Sequence, residues 1–178
     1  MKELRPIDYK ILFELIKNSR LSDRKLSEIL HVSQPTITRR RALIEKERLI
    51  EYTATPDLNK LGFEILAFTF ARWKYDKYAE ERVQETKTFL AKHPNMLFVS
   101  TGTGMNWDRM CVSVHKSYSD YAKFMQELRE YWEEYLERPV SFIVSLQSDS
   151  ILRNLSFKYL ADVMEKELDS SGEQSRKL

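Results

Sequence analysis

A single cysteine, Cys111, in 178 residues excludes an intrachain disulfide and any metal site built from cysteine pairs. It fits a reducing compartment. The three histidines, His31, His93 and His115, are scattered without the spacing of metal ligands. Glycine is scarce, at four residues. Gly102-Thr103-Gly104 is no dinucleotide fingerprint, because the third glycine is missing and strand-like segments flank it on both sides. No apolar run approaches the ~20 residues of a membrane-spanning helix, and the opening MKELRPIDYK lacks the apolar core of a signal peptide. No Ser-His-Asp set or paired carboxylates stand out. The expectation is a soluble, cytoplasmic protein with no membrane partner, no cofactor, no metal and no catalytic site.

Hydrophobic residues make up 42% of the chain, enough to bury a core. The net charge of +2 is unevenly spread. Residues 1–60 hold 13 Lys/Arg against 9 Asp/Glu, and the remainder holds 16 against 18. A basic front and a slightly acidic back suit a nucleic-acid module joined to a second domain.

The front half carries helical punctuation. Ile7, Ile11, Leu12 and Leu15 recur at helical spacing within Pro6–Asn18, and Pro6 suits a first turn. Ser22 is an N-cap residue for a second helix over Asp23–Leu30. His31 stands at the tight turn that follows, where a positive φ is needed. Ser33 is expected to cap a third helix over Gln34–Glu47. At ~100° per residue, Ile37 and Ile44 face inward while Pro35, Thr38, Arg39, Ala42 and Lys46 face out. Arg41 falls near the inner face, so its head is expected to reach sideways to phosphate or an acidic neighbour. Ile50–Thr55 is β-prone and ends at Pro56-Asp57, suggesting a short wing or exit strand.

The back half changes character. Phe63–Trp73 reads as a strand, Tyr78–His93 as a helix ended by Pro94, and Met96–Thr101 as a strand. Gly102-Thr103-Gly104 follows as a turn, then Asp108–His115 as a strand. Ser117 or Ser119 caps a helix bearing Tyr121, Phe124, Met125, Leu128, Trp132 and Tyr135, and Val140–Gln147 closes the set. The order β-α-β-β-α-β is that of a ferredoxin-like sandwich. Both faces of the first strand are apolar, with Leu66, Phe68 and Phe70 opposite Ile65, Ala67 and Ala71. Two helices cover one face only, so the other calls for a second subunit. The predicted class is α+β: an N-terminal winged helix-turn-helix plus a C-terminal ferredoxin-like βαββαβ sandwich with an extra C-terminal helix. The expected boundaries are 1–55 for the DNA-binding domain, 56–62 for a hinge and 63–150 for the dimerisation and effector domain. A helix over 151–168, with Leu155, Tyr159, Leu160 and Val163 as its apolar stripe, and a disordered tail over 169–178 complete the chain.

At residues 4–148 the sequence resembles the Lrp/AsnC family of bacterial and archaeal regulators. LRPIDYKILFELIKNSRLS is similar to the family's first helix. Ser33, Thr36, Ile37, Arg39 and Arg40 fall on its S-x-x-T-V/I-x-R-R pattern, and Tyr52-Thr53 and Pro56 on its strand and linker. Arg41 replaces a usual aliphatic residue, and His31 and Arg48 stand where glycines are common. The resemblance implies double-stranded DNA as partner, a homodimer or an octamer, and an amino-acid effector bound between sensing domains. The effector region reads STGTGMNWDRM here, keeping Gly102, Gly104 and Asp108 with added residues. The DNA-binding candidates are Ser22, Ser33, Gln34, Thr36, Thr38, Arg39, Arg40 and Arg41. Arg39 and Gln34 suit base edges, the threonines phosphate or a thymine methyl, and Arg40, Arg41 and Ser22 phosphates. The effector candidates are Gly102, Thr103, Gly104 and Asp108. Two alternatives stay open. Haem-pathway decarboxylases share this two-domain plan and would need His115 and Arg109 clustered in the sensing-domain cleft. A winged helix can also be an interaction module that does not bind DNA.

Overall fold

The computed structural model describes residues 4–74, 83–147, 149, 151–153 and 156–174. The chain forms two compact units, residues 1–55 with 154–178, and residues 56–153.

The first unit is built on apolar helix faces. Helix α1 (Pro6–Lys17) buries Ile11, Leu12, Phe13 and Leu15, and α2 (Asp23–Leu30) buries Leu26. The Ser22 side chain accepts the Lys25 N–H at 3.2 Å, capping α2 as expected. His31 follows at φ 53°, in the left-handed region that the tight turn requires. Helix α3 (Gln34–Lys46) turns Ile37 and Ile44 into the same core. Arg48 ends it at φ 54°, again where glycine is commoner. Ser33 departs from expectation. Its hydroxyl pairs with the Thr36 hydroxyl at 2.9 Å instead of capping a backbone N–H.

Three further expectations are corrected here. Ile50–Thr55 forms no strand, and no other described segment of the unit is a strand with which it could pair. The last helix, α6, spans Lys158–Gln174, so residues 169–174 expected as tail are helical, while Ser175 onward lies outside the described residues. Leu160 and Val163, expected on its inner stripe, are 45% and 53% exposed, and Leu155 lies outside the described residues. Ala161 and Met164 pack into the first unit's core instead, and Glu165 pairs with Lys17 of α1 at 2.8 Å. A narrow side chain at 161 lets the two helix backbones approach.

The second unit is one antiparallel sheet with two helices on one face. Its strands β1 (Ile65–Ala71), β2 (Met96–Gly104), β3 (Trp107–His115) and β4 (Val140–Ser145) lie in the order β2-β3-β1-β4, the expected ferredoxin-like pairing. Helix α4 spans Val83–Lys92, and residues 78–82, where the helix is expected to begin, lie outside the described set. Helix α5 (Tyr118–Trp132) is capped by Ser117, whose oxygen accepts the Asp120 N–H at 3.1 Å. Ile65 and Ala67 pack with Phe89 of α4 and with Tyr121, Phe124, Met125, Leu128 and Trp132 of α5.

Gly102-Thr103-Gly104 is not the turn. These residues complete β2, and Gly104 pairs with Trp107. The reversal is made by Met105 and Asn106 at φ 48° and 66°, the two positive angles a two-residue hairpin of type I′ needs. Asn tolerates this readily, Met less so.

On the opposite face, Leu66, Phe68 and Phe70 of β1 stand in register with Val114, Val112 and Met110 of β3 and with Val144, Phe142 and Val140 of β4. Phe98 of β2 continues the row beside Val112. Phe142 is 67% and Phe98 53% exposed. No described helix covers this apolar surface.

Candidate nucleic-acid interface

The outward face of α3 is set by the helical period. Gln34, Pro35, Thr38, Arg39, Ala42 and Lys46 are exposed, and Thr36 is half-buried. The first turn holds no acidic residue, so the positive end of the helix stays uncompensated and open to an anion.

The three consecutive arginines have different environments. Arg39 makes no hydrogen bond or ion pair with any described residue and projects into solvent. Arg40 does not, and its expected role on phosphate is corrected. Its Nε donates to Asp8 Oδ1 at 2.5 Å and its second nitrogen to Oδ2, a forked pair between α3 and α1. Asp8 is 0% exposed, and its Oδ2 also accepts the Arg5 N–H at 2.7 Å. Burial alone would raise the Asp8 pKa. The bonds from Arg40 and from the Arg5 backbone outweigh it and hold the carboxyl below its ordinary value.

Arg41 is likewise held inside the unit. It donates to the Leu21 carbonyl at 2.9 Å, Asp23 Oδ1 at 3.1 Å, Glu45 Oε1 at 3.0 Å and the Tyr52 hydroxyl at 3.1 Å. Of the two destinations expected for it, phosphate or an acidic neighbour, the structure shows the acidic neighbours Asp23 and Glu45. Burial would lower its pKa, but the Tyr52, Asp23 and Glu45 partners raise it, so it stays charged. Thr38 joins this cluster by donating to Asp23 Oδ2 at 2.6 Å and remains exposed. Arg40 and Arg41 therefore fix α3 against α1 and α2, while Arg39 carries charge outward. Asp8 carried the missed signal. It stands on the same face as Ile11, Leu12 and Leu15, and a carboxylate on a core face demands a cationic partner.

In the second unit the effector candidates lie along the β2–β3 hairpin. Gly102, Thr103 and Gly104 are exposed. Asp108 is half-buried and accepts the Trp73 N–H at 3.0 Å. The pair needed by the decarboxylase alternative is not brought together. Arg109 pairs with Ala71 at one end of β3 and His115 with Ile65 at the other. His115 is 0% exposed, its Nε2 is 2.9 Å from Ser113 Oγ, and its ring lies against Tyr121 and Phe124. Cys111 is buried, and burial raises its thiol pKa.

A capped second helix, a left-handed turn and an exposed polar third helix define a helix-turn-helix. Residues 4–51 match the family model described as winged helix-turn-helix DNA-binding. The regulator Ptr1 of Methanocaldococcus jannaschii is 30% identical over 122 residues, 68% of this chain and 78% of that protein. An uncharacterised HTH-type transcriptional regulator of Pyrococcus abyssi is 30% identical over 86 residues, 48% of this chain and 57% of that protein's length. The structure of LrpC from Bacillus subtilis superposes with a TM-score of 0.68 at 26% identity, covering 85% of this chain and 99% of that one. A Neisseria meningitidis regulator in complex with L-Met gives 0.73 at 21% identity, covering 86% and 96%, which supports the fold. The chain belongs to the Lrp/AsnC family. It is a DNA-binding transcription regulator, as its relatives are, and the enzyme alternative is set aside.

Proposed function

We propose that the chain reads duplex DNA as a homodimer, each α3 lying in a major groove with Gln34, Thr36, Thr38 and Arg39 toward the bases. The observation that carries this is the contrast among the arginines. Arg39 is free on the outward face of a helix whose orientation Arg40 and Arg41 hold fixed. Arg39 suits a guanine edge and Gln34 an adenine edge. Ser22, Ser33 and the positive end of α3 suit phosphates.

The pairing of subunits rests on the open sheet face. Its apolar row, from Phe98 through Val112 and Phe68 to Phe142, is too continuous to be left in water. Packing it on a second copy is self-complementary and supplies two reading helices for two half-sites. An octamer would be a closed ring of such dimers. The second unit would respond to a small-molecule effector near Gly102, Thr103, Gly104 and Asp108. The L-Met complex of the Neisseria protein, on the same fold, supports the effector reading.

Gel shifts with Arg39→Ala, on selected and on random duplexes, test the base-reading role. The expected loss is about 1–3 kcal/mol on the selected site, with relaxed specificity. Equal weakening on all sequences would show a phosphate contact instead. Absence of any salt-sensitive binding by the parent protein would contradict the DNA-reading proposal itself.

A further inference from the structure

We infer that Asp23 is a specificity-determining residue: by holding the Thr38 hydroxyl proton, it restricts Thr38 to a base that donates in the major groove, adenine or cytosine. The inference deepens the base-reading proposal above and rests on it. Thr38 stands one turn after Gln34 on the exposed face of α3. Its Oγ1 donates to Asp23 Oδ2 at 2.6 Å. The carboxylate is fixed from its other side as well. Arg41 donates to Asp23 Oδ1 at 3.1 Å and to the Leu21 carbonyl at 2.9 Å. Arg41 is itself held by Glu45 Oε1 and the Tyr52 hydroxyl, and Tyr52 donates to the same Glu45 oxygen at 2.8 Å. The group that takes the Thr38 proton is therefore engaged at both oxygens.

A hydroxyl has one proton and two lone pairs, and a carboxylate only accepts. An O–H···O⁻ bond is about twice as strong as a neutral one, so a base acceptor does not draw the proton away from Asp23. Thr38 then meets DNA with lone pairs alone. Phosphates offer no donor, and the Asp23 charge repels them. In the major groove guanine presents N7 and O6 and thymine presents O4, all acceptors, whereas adenine N6 and cytosine N4 donate. The partner of Thr38 is thus an exocyclic amino group. The preference reverses in Asp23→Asn. Arg41 only donates, so it draws the amide oxygen and turns the amide nitrogen toward Thr38. The Thr38 oxygen accepts from that nitrogen, and its proton is released for a base acceptor.

The full-length chain is tested on the duplex it selects from random DNA. At each position in turn, adenine is replaced by purine or cytosine by 2-pyrimidinone, which deletes the exocyclic amino group. At one position per half-site the deletion should weaken the parent about three- to tenfold, the loss of one hydrogen bond. Thr38→Val keeps the side-chain shape without the hydroxyl, and the same deletion should cost it less than about twofold. Thr38→Ser should keep the parent's dependence. Asp23→Asn should lose it and favour guanine or thymine at that position; thermal melts show whether this variant is folded, and Thr38→Val decides alone if it is not. A parent that selects a motif yet shows no amino-dependent position that Thr38→Val abolishes would overturn this inference and leave base reading in place. So would a dependence lost in Thr38→Ser, which assigns the contact to the methyl group, or one kept by a folded Asp23→Asn. A parent with no sequence preference at any position would overturn the base-reading proposal and this inference with it.

Discussion

Asp8→Asn is the sharpest perturbation of the DNA-reading unit. The change keeps side-chain size and removes one charge. In the parent, a carboxylate with no solvent exposure accepts the Arg5 N–H and the forked guanidinium of Arg40, whose side chain is only 12% exposed. In the variant that guanidinium stays largely out of water with no counter-ion. Breaking a buried pair from one side costs about 3–5 kcal/mol. Arg40 keeps an edge toward solvent, so the lower end, about 3 kcal/mol, applies. For a unit of about 80 residues each kcal/mol moves the midpoint by about 4–8 °C, so a fall of roughly 12–24 °C is expected. Calorimetry of the full chain separates this melt from that of the sheet unit. A double-mutant cycle with Arg40→Met isolates the pair, and replacing both partners should cost far less than either single change. The pH dependence has a definite sign. The folded Asp8 pKa is depressed, so its contribution is complete above the ordinary aspartate value of ~3.9 and is lost as pH falls through the folded value. That acid limb should vanish in Asp8→Asn. A melt within about 2 °C of the parent, well below the range a broken buried pair implies, would refute the reasoning.

Three further outcomes follow from the same structure. Arg40→Met, assayed below its melt, should leave the salt slope of DNA binding unchanged, whereas a lost phosphate contact would reduce it by about one. Phe142→Lys, at a position already 67% exposed, should leave the fold intact but give a monomer by light scattering, with much weaker DNA binding; a persistent dimer would place the interface elsewhere. His115 is buried with its Nδ1 making no hydrogen bond among the described residues, 3.7 Å from Asp120 Oδ2, and burial lowers its pKa against the opposing pull of Asp120. Its neutral form therefore stabilises the sheet unit above about pH 6.5, and that stability is lost as pH falls toward the folded pKa. His115→Phe should flatten this dependence in melts between about pH 5 and 7.

Local signals in the sequence were faithful where one residue decides the backbone. Ser22 and Ser117 cap the helices they precede, and His31 takes the left-handed turn. The outward angles of Thr38 and Arg39 follow from the helical period alone. The alternation Leu66, Phe68, Phe70 against Ile65, Ala67, Ala71 separates the two faces of the sheet. Misreadings arose where a distant partner decides. Arg40 looked like its neighbour Arg39, yet an aspartate 32 positions earlier claims it. Gly102 and Gly104 look like a turn, but β2 continues through them with a register shift and the reversal falls on Met105-Asn106, which carries no glycine. Leu160 and Val163 looked like the inner stripe of α6, but contact with α1 selected the face of the smaller Ala161.

Selection of bound sequences from random duplex DNA tests the central claim most directly. The account expects enrichment of a two-fold symmetric motif with half-sites one helical turn apart or a multiple of it, lost when Arg39→Ala replaces the parent. A pool that stays random, or a motif with no symmetry, would contradict a paired reader built on α3.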